Sequence, residues 1–483
     1  MKIGIWCDFG FTLRPSEGIG VFVAQLLRGL SQQPQPPQVA LVLNGNDRKI
    51  HHELLAYTQG LNVEVIVPPI GVLQKLRILY RQTIAKWLLR TSKYLLRLEH
   101  WMRPRLPRAL LAKILSHLGE IGSAKIIKLL AIAMLSPLLL TDILITIAYL
   151  TFKHLVRLGP VWVNAIWKAL RESLFGGEYA YIFRLARNTV CDVWFLPYPG
   201  LPVKPDLRAP LLLVVHDIVY RYYPEGYDPV QNAELFKLTE EIASEAKITA
   251  CLSETVREND LINELQIERS KTAVIPHAVP NDIVEQKYSS FKDLQQRYHI
   301  PENFFFYPSA FRPYKNHALA VRALAILINE QQQNVGLVFT GIQGMPPRLQ
   351  TLLDDSEIGD HVFILGRVSR EDIAGLYRSA KALVFPSLHE GFGFPPLEAL
   401  ALGCPVVCSD IPVLREVVGS YKEVVQLVNP YSAKALAKAL KIILNAREQY
   451  SQVLATTRKL VLSRNWQQVA NEWLRLCTQA INN

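Results

Sequence analysis

Cysteine is scarce: six in 483 residues, at 7, 191, 251, 404, 408 and 477, with no paired spacing. That excludes a disulfide-stapled small scaffold and a paired-cysteine metal site, and it suits a reducing compartment. No Asp-x-Asp sequence occurs, so nothing of that kind suggests an acidic metal clamp. The opening Met1 to Asp8 runs into turn residues rather than a sustained apolar stretch with a small-residue cleavage site. A signal peptide is therefore not expected, and the main body is expected in the cytoplasm. Acidic residues are sparse in one block: residues 72–175 hold 4 Asp+Glu against 17 Lys+Arg.

That block accounts for the basicity of the whole chain. Its net charge is +13, so the other 379 residues carry −2 of the total +11. A protein that coats nucleic acid with its whole surface would spread such charge more widely, so nucleic acid is not expected as a partner. The composition is 50% hydrophobic and 20% charged, with a mean hydropathy of +0.13, slightly apolar for a soluble chain. Within the block, a helix over Ile84 to Leu98 would carry Lys86, Arg90, Lys93 and Arg97 on one stripe, with Ile84, Leu88 and Leu95 opposite. That is the division of an interfacial helix. Leu129 to Phe152 is a 24-residue stretch with Asp142 as its only charge, long enough to span a bilayer. A single crossing would put strands of one sheet on opposite sides of the membrane. Hence a re-entrant or surface-lying hairpin, a second crossing, or a helical cap that buries this surface are the readings left open. The docking reading expects a peripheral protein on an anionic inner membrane face.

Outside the block, short β-branched runs alternate with helical periodicity, the pattern of parallel strands covered on both faces. The first half offers Ile3–Cys7, Val39–Leu43, Val63–Val67, Val193–Leu196, Leu211–Val215, Ile248–Leu252 and Ala273–Ile275. The second offers Phe304–Tyr307, Gly336–Phe339, Val362–Leu365, Ala382–Phe385, Val406–Cys408 and Val424–Val428. The fold class expected is α/β, with two Rossmann-like doubly wound domains facing a cleft and a mostly helical insertion in the first. The boundaries expected are 1–71 with 176–290, an insertion over 72–175, a second domain over 300–465, and a tail helix over 466–483 packing back on the first. Asn281 to Glu302, polar and without a strand, reads as the linker, and Glu178 to Val190 as the crossover helix before the fourth strand.

In such folds ligands bind beyond the carboxyl ends of the strands. After Ala382–Phe385 comes Pro386-Ser-Leu-His-Glu-Gly-Phe-Gly-Phe-Pro-Pro-Leu-Glu398, with two carboxylates eight positions apart. Glu390 sits in a glycine-rich loop and can reach a sugar. Glu398 falls in a helix begun by Pro395-Pro396 and can accept from a ribose diol. Gly391, Phe392 and Gly393 give a loop that lets a ligand close to the backbone, where free helix amides suit a phosphate. After Phe304–Tyr307, the pair Arg312 and Lys315 could clamp a diphosphate and neutralise charge as it departs. Gly18 and Gly20 join the first strand to a helix as a candidate phosphate turn, and alone they are equally turn punctuation. His216, before Asp217, ends the strand Leu211–Val215; it faces the cleft or makes a structural hydrogen bond.

Together these residues resemble the retaining glycosyltransferases of the GT-B fold, the large family of mannosyl- and rhamnosyltransferases, sucrose synthase and phosphatidylinositol mannosyltransferases. The resemblance spans residues 1–70 and about 178–480. It is strongest over Val362 to Val418, where Leu365-Gly366-Arg367-Val368, the Glu-x7-Glu pair and Gly403-Cys404-Pro405-Val406-Val407 stand at the family's spacing. It implies that Glu390 contacts the donor sugar, Glu398 the nucleotide ribose, and Arg312 and Lys315 the diphosphate. It also implies that Gly18 and Gly20 shape the phosphate-side turn and that His216 lines the sugar site. Two departures stand out: the interval from Arg312 to Lys315, and Pro276-His277-Ala278-Val279 where the family often has Asn-Gly.

The activity implied is retaining transfer of a hexosyl or deoxyhexosyl unit from a nucleoside diphosphate to a hydroxyl, lipid-linked acceptors included, without a metal or other cofactor. His-Asp-Ile and Arg-Pro-x-Lys-Asn make GDP-mannose the first donor to try. The rival readings are a sugar-nucleotide epimerase, a phosphorylase, or an inactive scaffold on the same fold. A Glu-x7-Glu loop following a basic clamp along the chain favours the transferase.

Overall fold

The computed structural model describes residues 1–67 and 187–482, apart from 9–12, 14–17, 44–47, 202–203, 206, 286, 342–343 and 447–448. The basic block 72–175, with both of its helix candidates, and most of the crossover Glu178 to Val190 lie outside the described residues.

Two parallel sheets carry the chain. The first comprises β1 (Lys2–Trp6), β2 (Gln38–Val42), β3 (Asn62–Ile66), β4 (Val193–Leu196), β5 (Leu211–Val214), β6 (Ile248–Cys251) and β7 (Thr272–Val274), in the order β3-β2-β1-β4-β5-β6-β7. The second comprises β8 (Phe304–Pro308), β9 (Gly336–Thr340), β10 (Val362–Ile364), β11 (Ala382–Phe385), β12 (Val406–Ser409) and β13 (Val425–Val428), in the order β10-β9-β8-β11-β12-β13. Central strands β4 and β11 are buried along their length, and β8 up to Pro308, as Val, Leu and Phe runs covered by helices on both faces require. In each sheet the chain winds outward one way and then returns to the other side of its first strand. The return falls between β1 and β4 in the first sheet and between β8 and β11 in the second. Crevices open beyond the carboxyl ends of strands at such switch points.

Both sheets belong to one compact unit, Met1–Pro68 with Phe183–Asn483. The stretch read as a linker is not featureless. It forms the helices Asn281–Glu285 and Phe291–Tyr298, and Leu294 of the second is fully buried in the second core. Ser290 caps that helix, its hydroxyl accepting from the Asp293 amide at 3.2 Å. The tail helix Trp466–Asn482 lies against the helix Gly18–Ser31 of the first half. The approach is close enough that a Cβ on Gly29 would stand 2.2 Å from the Trp466 carbonyl oxygen. Trp466 Nε1 donates to the Val279 carbonyl at 3.0 Å, and Arg464 Nη2 to that of Pro276 at 2.6 Å. The end of the chain thereby ties down the turn 276–279 after β7.

Candidate active site

The loops at the β8/β11 switch point meet. Lys315, in a short turn after β8, donates from Nζ to Glu390 Oε1 at 2.5 Å, and the two side chains are 17% and 10% exposed. The turn is fixed from beneath by Tyr307 of β8, whose hydroxyl donates to the Lys315 carbonyl at 2.5 Å. Asn316, in the left-handed region at φ 55°, anchors the turn laterally by donating to the Pro430 carbonyl at 2.9 Å. The β11 loop is stitched to it by the Leu388 amide donating to the Tyr314 carbonyl at 2.7 Å. Cation and carboxylate are therefore held in place by backbone contacts before any ligand arrives. Arg312 stands on the same loop but faces the first half: its guanidinium lies 5.5 Å from the centre of the Tyr227 ring and reaches the Gly226 carbonyl at 3.4 Å.

Glu390 and Gly391 lie where the two halves touch. A Cβ on Gly391 would stand 2.1 Å from the carbonyl oxygen of His216, and the Gly391 carbonyl accepts from Ser253 Oγ at 3.0 Å. Gly393 takes φ 88°, the left-handed backbone that starts the helix Phe394–Ala401. Phe392 offers this cleft its backbone alone, since its ring is 6% exposed and packs edge-on to His277 and Phe394.

Glu398, one turn into that helix, accepts from the Tyr377 hydroxyl at 2.8 Å. Burial pushes its carboxyl above the usual carboxylate range, and the nearby Arg370 guanidinium and the Tyr377 bond oppose that rise. Arg370 also pairs with Asp282 at 3.4 Å. Glu398 is thus set apart from the Lys315–Glu390 pair and has its own polar surroundings.

His216 follows β5 at the cleft. Its Nε2 lies 3.0 Å from the Pro197 carbonyl, which can only accept, so that nitrogen carries the proton. Burial holds the imidazole below the ordinary histidine range, with the Pro197 hydrogen bond and nearby Asp217 opposing that shift. The sequence set a cleft-facing His216 against a structural hydrogen bond of the His216-Asp217 pair; the bond observed runs to Pro197 instead. Gly18 begins the first helix at φ 44° and is exposed, whereas Gly20 is buried inside that helix. The two glycines therefore play different parts: Gly18 permits the left-handed turn, and Gly20 packs.

Several site residues carry no sequence signature. His277 is 2% exposed, with both ring nitrogens lacking a hydrogen-bond partner. It is stacked between Phe22 of the first half and Phe394 of the second, at 4.8 and 5.0 Å between ring centres. Burial, with His216 nearby, holds it well below the ordinary histidine range, so a neutral ring acts as an aromatic spacer between the halves. Glu416 accepts from the amides of Glu254 and Thr255 at 2.6 and 3.1 Å, capping a first-half helix from the second half. Asp260 is 1% exposed, accepting from the Ile218 amide at 3.0 Å and the Tyr222 hydroxyl at 2.9 Å. The only hint in the sequence was the unusual Pro276-His277 turn; the other contacts join segments far apart in the chain.

Residues 291–460 match the family described as glycosyl transferases group 1. The chain is similar to the O-antigen chain mannosyltransferase RfbU of Salmonella typhimurium, 29% identical over 66% of this chain and 80% of that protein. It is also similar to the O-antigen chain mannosyltransferase B of Escherichia coli, 26% identical over 55% of this chain and 68% of that protein. Among solved structures, Anabaena Alr3699/HepE in complex with UDP and glucose superposes with a TM-score of 0.58. It is 14% identical and covers 99% of this chain and 100% of that one, so that likeness concerns the fold. Paired parallel sheets, a basic turn locked to the first glutamate of Glu-x7-Glu, and the group 1 match over residues 291–460 converge on a glycosyltransferase of the GT-B fold.

Proposed function

We propose that this enzyme transfers a mannosyl unit from GDP-mannose, with retained configuration, to a hydroxyl of a lipid-linked acceptor in surface-polysaccharide synthesis. The observation that carries the reading is the Lys315–Glu390 contact at 2.5 Å across the β8/β11 crevice. A fixed cation there would neutralise a departing diphosphate, while the neighbouring carboxylate would accept from sugar hydroxyls. Arg312 would join the clamp by turning from the Gly226 carbonyl, Glu398 would hold the ribose, and the amides of Gly391 to Gly393 would meet the donor. His216, neutral and oriented by Pro197, would line the sugar side, and Gly18 the phosphate side. Protein cations and helix amides take the place of a divalent ion in this scheme. The names of the two O-antigen relatives support mannose and polysaccharide synthesis. The basic block 72–175 would bring the enzyme to an anionic membrane face, with its body in the cytoplasm. Among the described residues no helix is long and apolar enough to cross a membrane.

The test is a thermal-shift panel of sugar nucleotides run in excess EDTA, followed by transfer assays under the same conditions. GDP-mannose should raise Tm most, because a ligand confined to the folded state stabilises it with the logarithm of its concentration over Kd. Stabilisation by UDP-sugars alone would overturn the donor. Complete loss of transfer in EDTA with rescue by magnesium or manganese would overturn the metal-free clamp.

A further inference from the structure

We propose that the cavity of about 350 Å³ beside Glu390, between the helical stretch after β6 and the loop after β12, is an acceptor subsite for a neutral sugar. The inference rests on the transferase reading above and specifies where and what the acceptor is. The order β8-β11-β12 places this cavity on the opposite flank of the β11 loop from Lys315. Glu390 forms part of its wall while its Oε1 faces Lys315, so one carboxylate borders both the proposed donor sugar and the cavity. A hydroxyl held there would stand beside the reacting sugar and away from the nucleotide.

The lining selects the chemistry. Asp260, Glu264 and Glu390 border the cavity, and among the described residues no lysine or arginine does. A phosphate or pyrophosphate would meet carboxyl groups with no cation among the lining residues, so an anionic headgroup is disfavoured. Asn259 and Asn263, four apart on one helical stretch, bring two carboxamides to the rim. Each offers donors and an acceptor, the pairing that alternating sugar hydroxyls require. The rings of Tyr222 and His389, 4.9 Å apart and inclined by 35°, give an apolar face for the C–H side of a pyranose. His389 Nε2 is buried there without a hydrogen-bond partner. The volume is at the small end of ligand sites, which span roughly 300–1,000 Å³, and suits a terminal sugar rather than a whole lipid-linked glycan. The pyrophosphate of such an acceptor would lie outside the cavity.

Saturation-transfer NMR on the full chain tests this, with the methyl glycosides of mannose, rhamnose, glucose and galactose as probes and inorganic phosphate as competitor. At least one glycoside should receive saturation from the wild-type protein, phosphate should not displace it, and Asn259→Ala/Asn263→Ala should weaken it about tenfold or more. No signal from any of the four, displacement by phosphate, or an undiminished signal in the double variant would overturn the proposal. The spectra are recorded without nucleotide, and GDP-mannose binding is scored separately by thermal shift. A failed donor and a failed acceptor subsite are thereby distinguishable.

Discussion

Gly391 passes directly beneath the carbonyl of His216: a Cβ added to it would lie 2.1 Å from that oxygen and 3.0 Å from Asp217 Oδ2. The glycine of the Glu-Gly-Phe-Gly loop is therefore a contact point between the halves as well as a turn residue. Backbone lies on one side of the clash and Ser253 holds the Gly391 carbonyl on the other, so neither wall is a flexible side-chain end. Gly391→Ala should force the halves apart and lower kcat/KM by about tenfold or more, given ~1–3 kcal/mol for overpacking. Far-ultraviolet circular dichroism should be unchanged. Ser253→Ala, which removes a single hydrogen bond, should cost less. Full activity in Gly391→Ala would show that the halves do not work at this separation.

Lys315→Ala should reduce transfer by roughly a hundredfold, the scale expected for losing a preorganised charge at a departing group. It should also lower Tm, because Glu390, 10% exposed, loses its cation. Adding Glu390→Gln should restore Tm without restoring rate. Recovery of both, or loss of neither, would remove Lys315 from the diphosphate site.

Strand positions were legible because β-branched runs buried on both faces leave few alternatives: β4 and β11 match the sequence reading residue for residue, and the rest differ at their ends. The Glu-x7-Glu loop was legible for a related reason, since Gly391, Gly393 and the Pro395-Pro396 pair fix strand, turn and helix locally. What stayed hidden is what crosses between segments. Nothing in the sequence near Lys315 indicates that it closes on Glu390, 75 positions away, or that Phe22, His277 and Phe394 stack together. Nor could the polar character of 281–302 show Leu294 buried in the second core.

Glu398 has a structural partner as well as a proposed ligand. Removing its carboxylate strands the hydroxyl of Tyr377, a fully buried side chain. Glu398→Ala should therefore cost about 1–3 kcal/mol of stability besides weakening donor binding. In a Tyr377→Phe background that stability cost should largely vanish while the binding defect persists. Chemical denaturation of the four proteins, with nucleotide titration, measures both. Additive stability losses would mean that the Tyr377 bond contributes nothing.

The proposed membrane role of 72–175 rests on charge, so it should respond to salt. The intact protein should float with anionic vesicles and be partly released as salt rises. A variant with 72–175 replaced by a short linker should still bind donor and should not float. Indifference of the intact protein to anionic vesicles at low salt would make the block a packing or oligomerisation device.

Asp260 should impose a pH dependence on stability. Burial pushes its carboxyl up to about 7, with the Tyr222 hydrogen bond opposing that rise and the neighbouring Asp217 adding to it. An aspartate in the unfolded chain loses its proton near pH 3.9. Between these values the folded protein holds a proton that the unfolded chain has released. Stability from the neutral acid is thus full below about pH 4, declines as pH rises to about 7, and is level above that. Asp260→Asn removes the ionisation while keeping the geometry, since a carboxamide oxygen can accept from the Ile218 amide and its nitrogen can donate to Tyr222 Oη. Wild type and variant should have similar Tm near pH 4. The variant should gain progressively toward pH 8, by no more than roughly 4 kcal/mol at ~1.4 kcal/mol per pH unit. Curves of Tm against pH that run parallel would show that Asp260 titrates as it does in the unfolded chain, and that its burial carries no linkage.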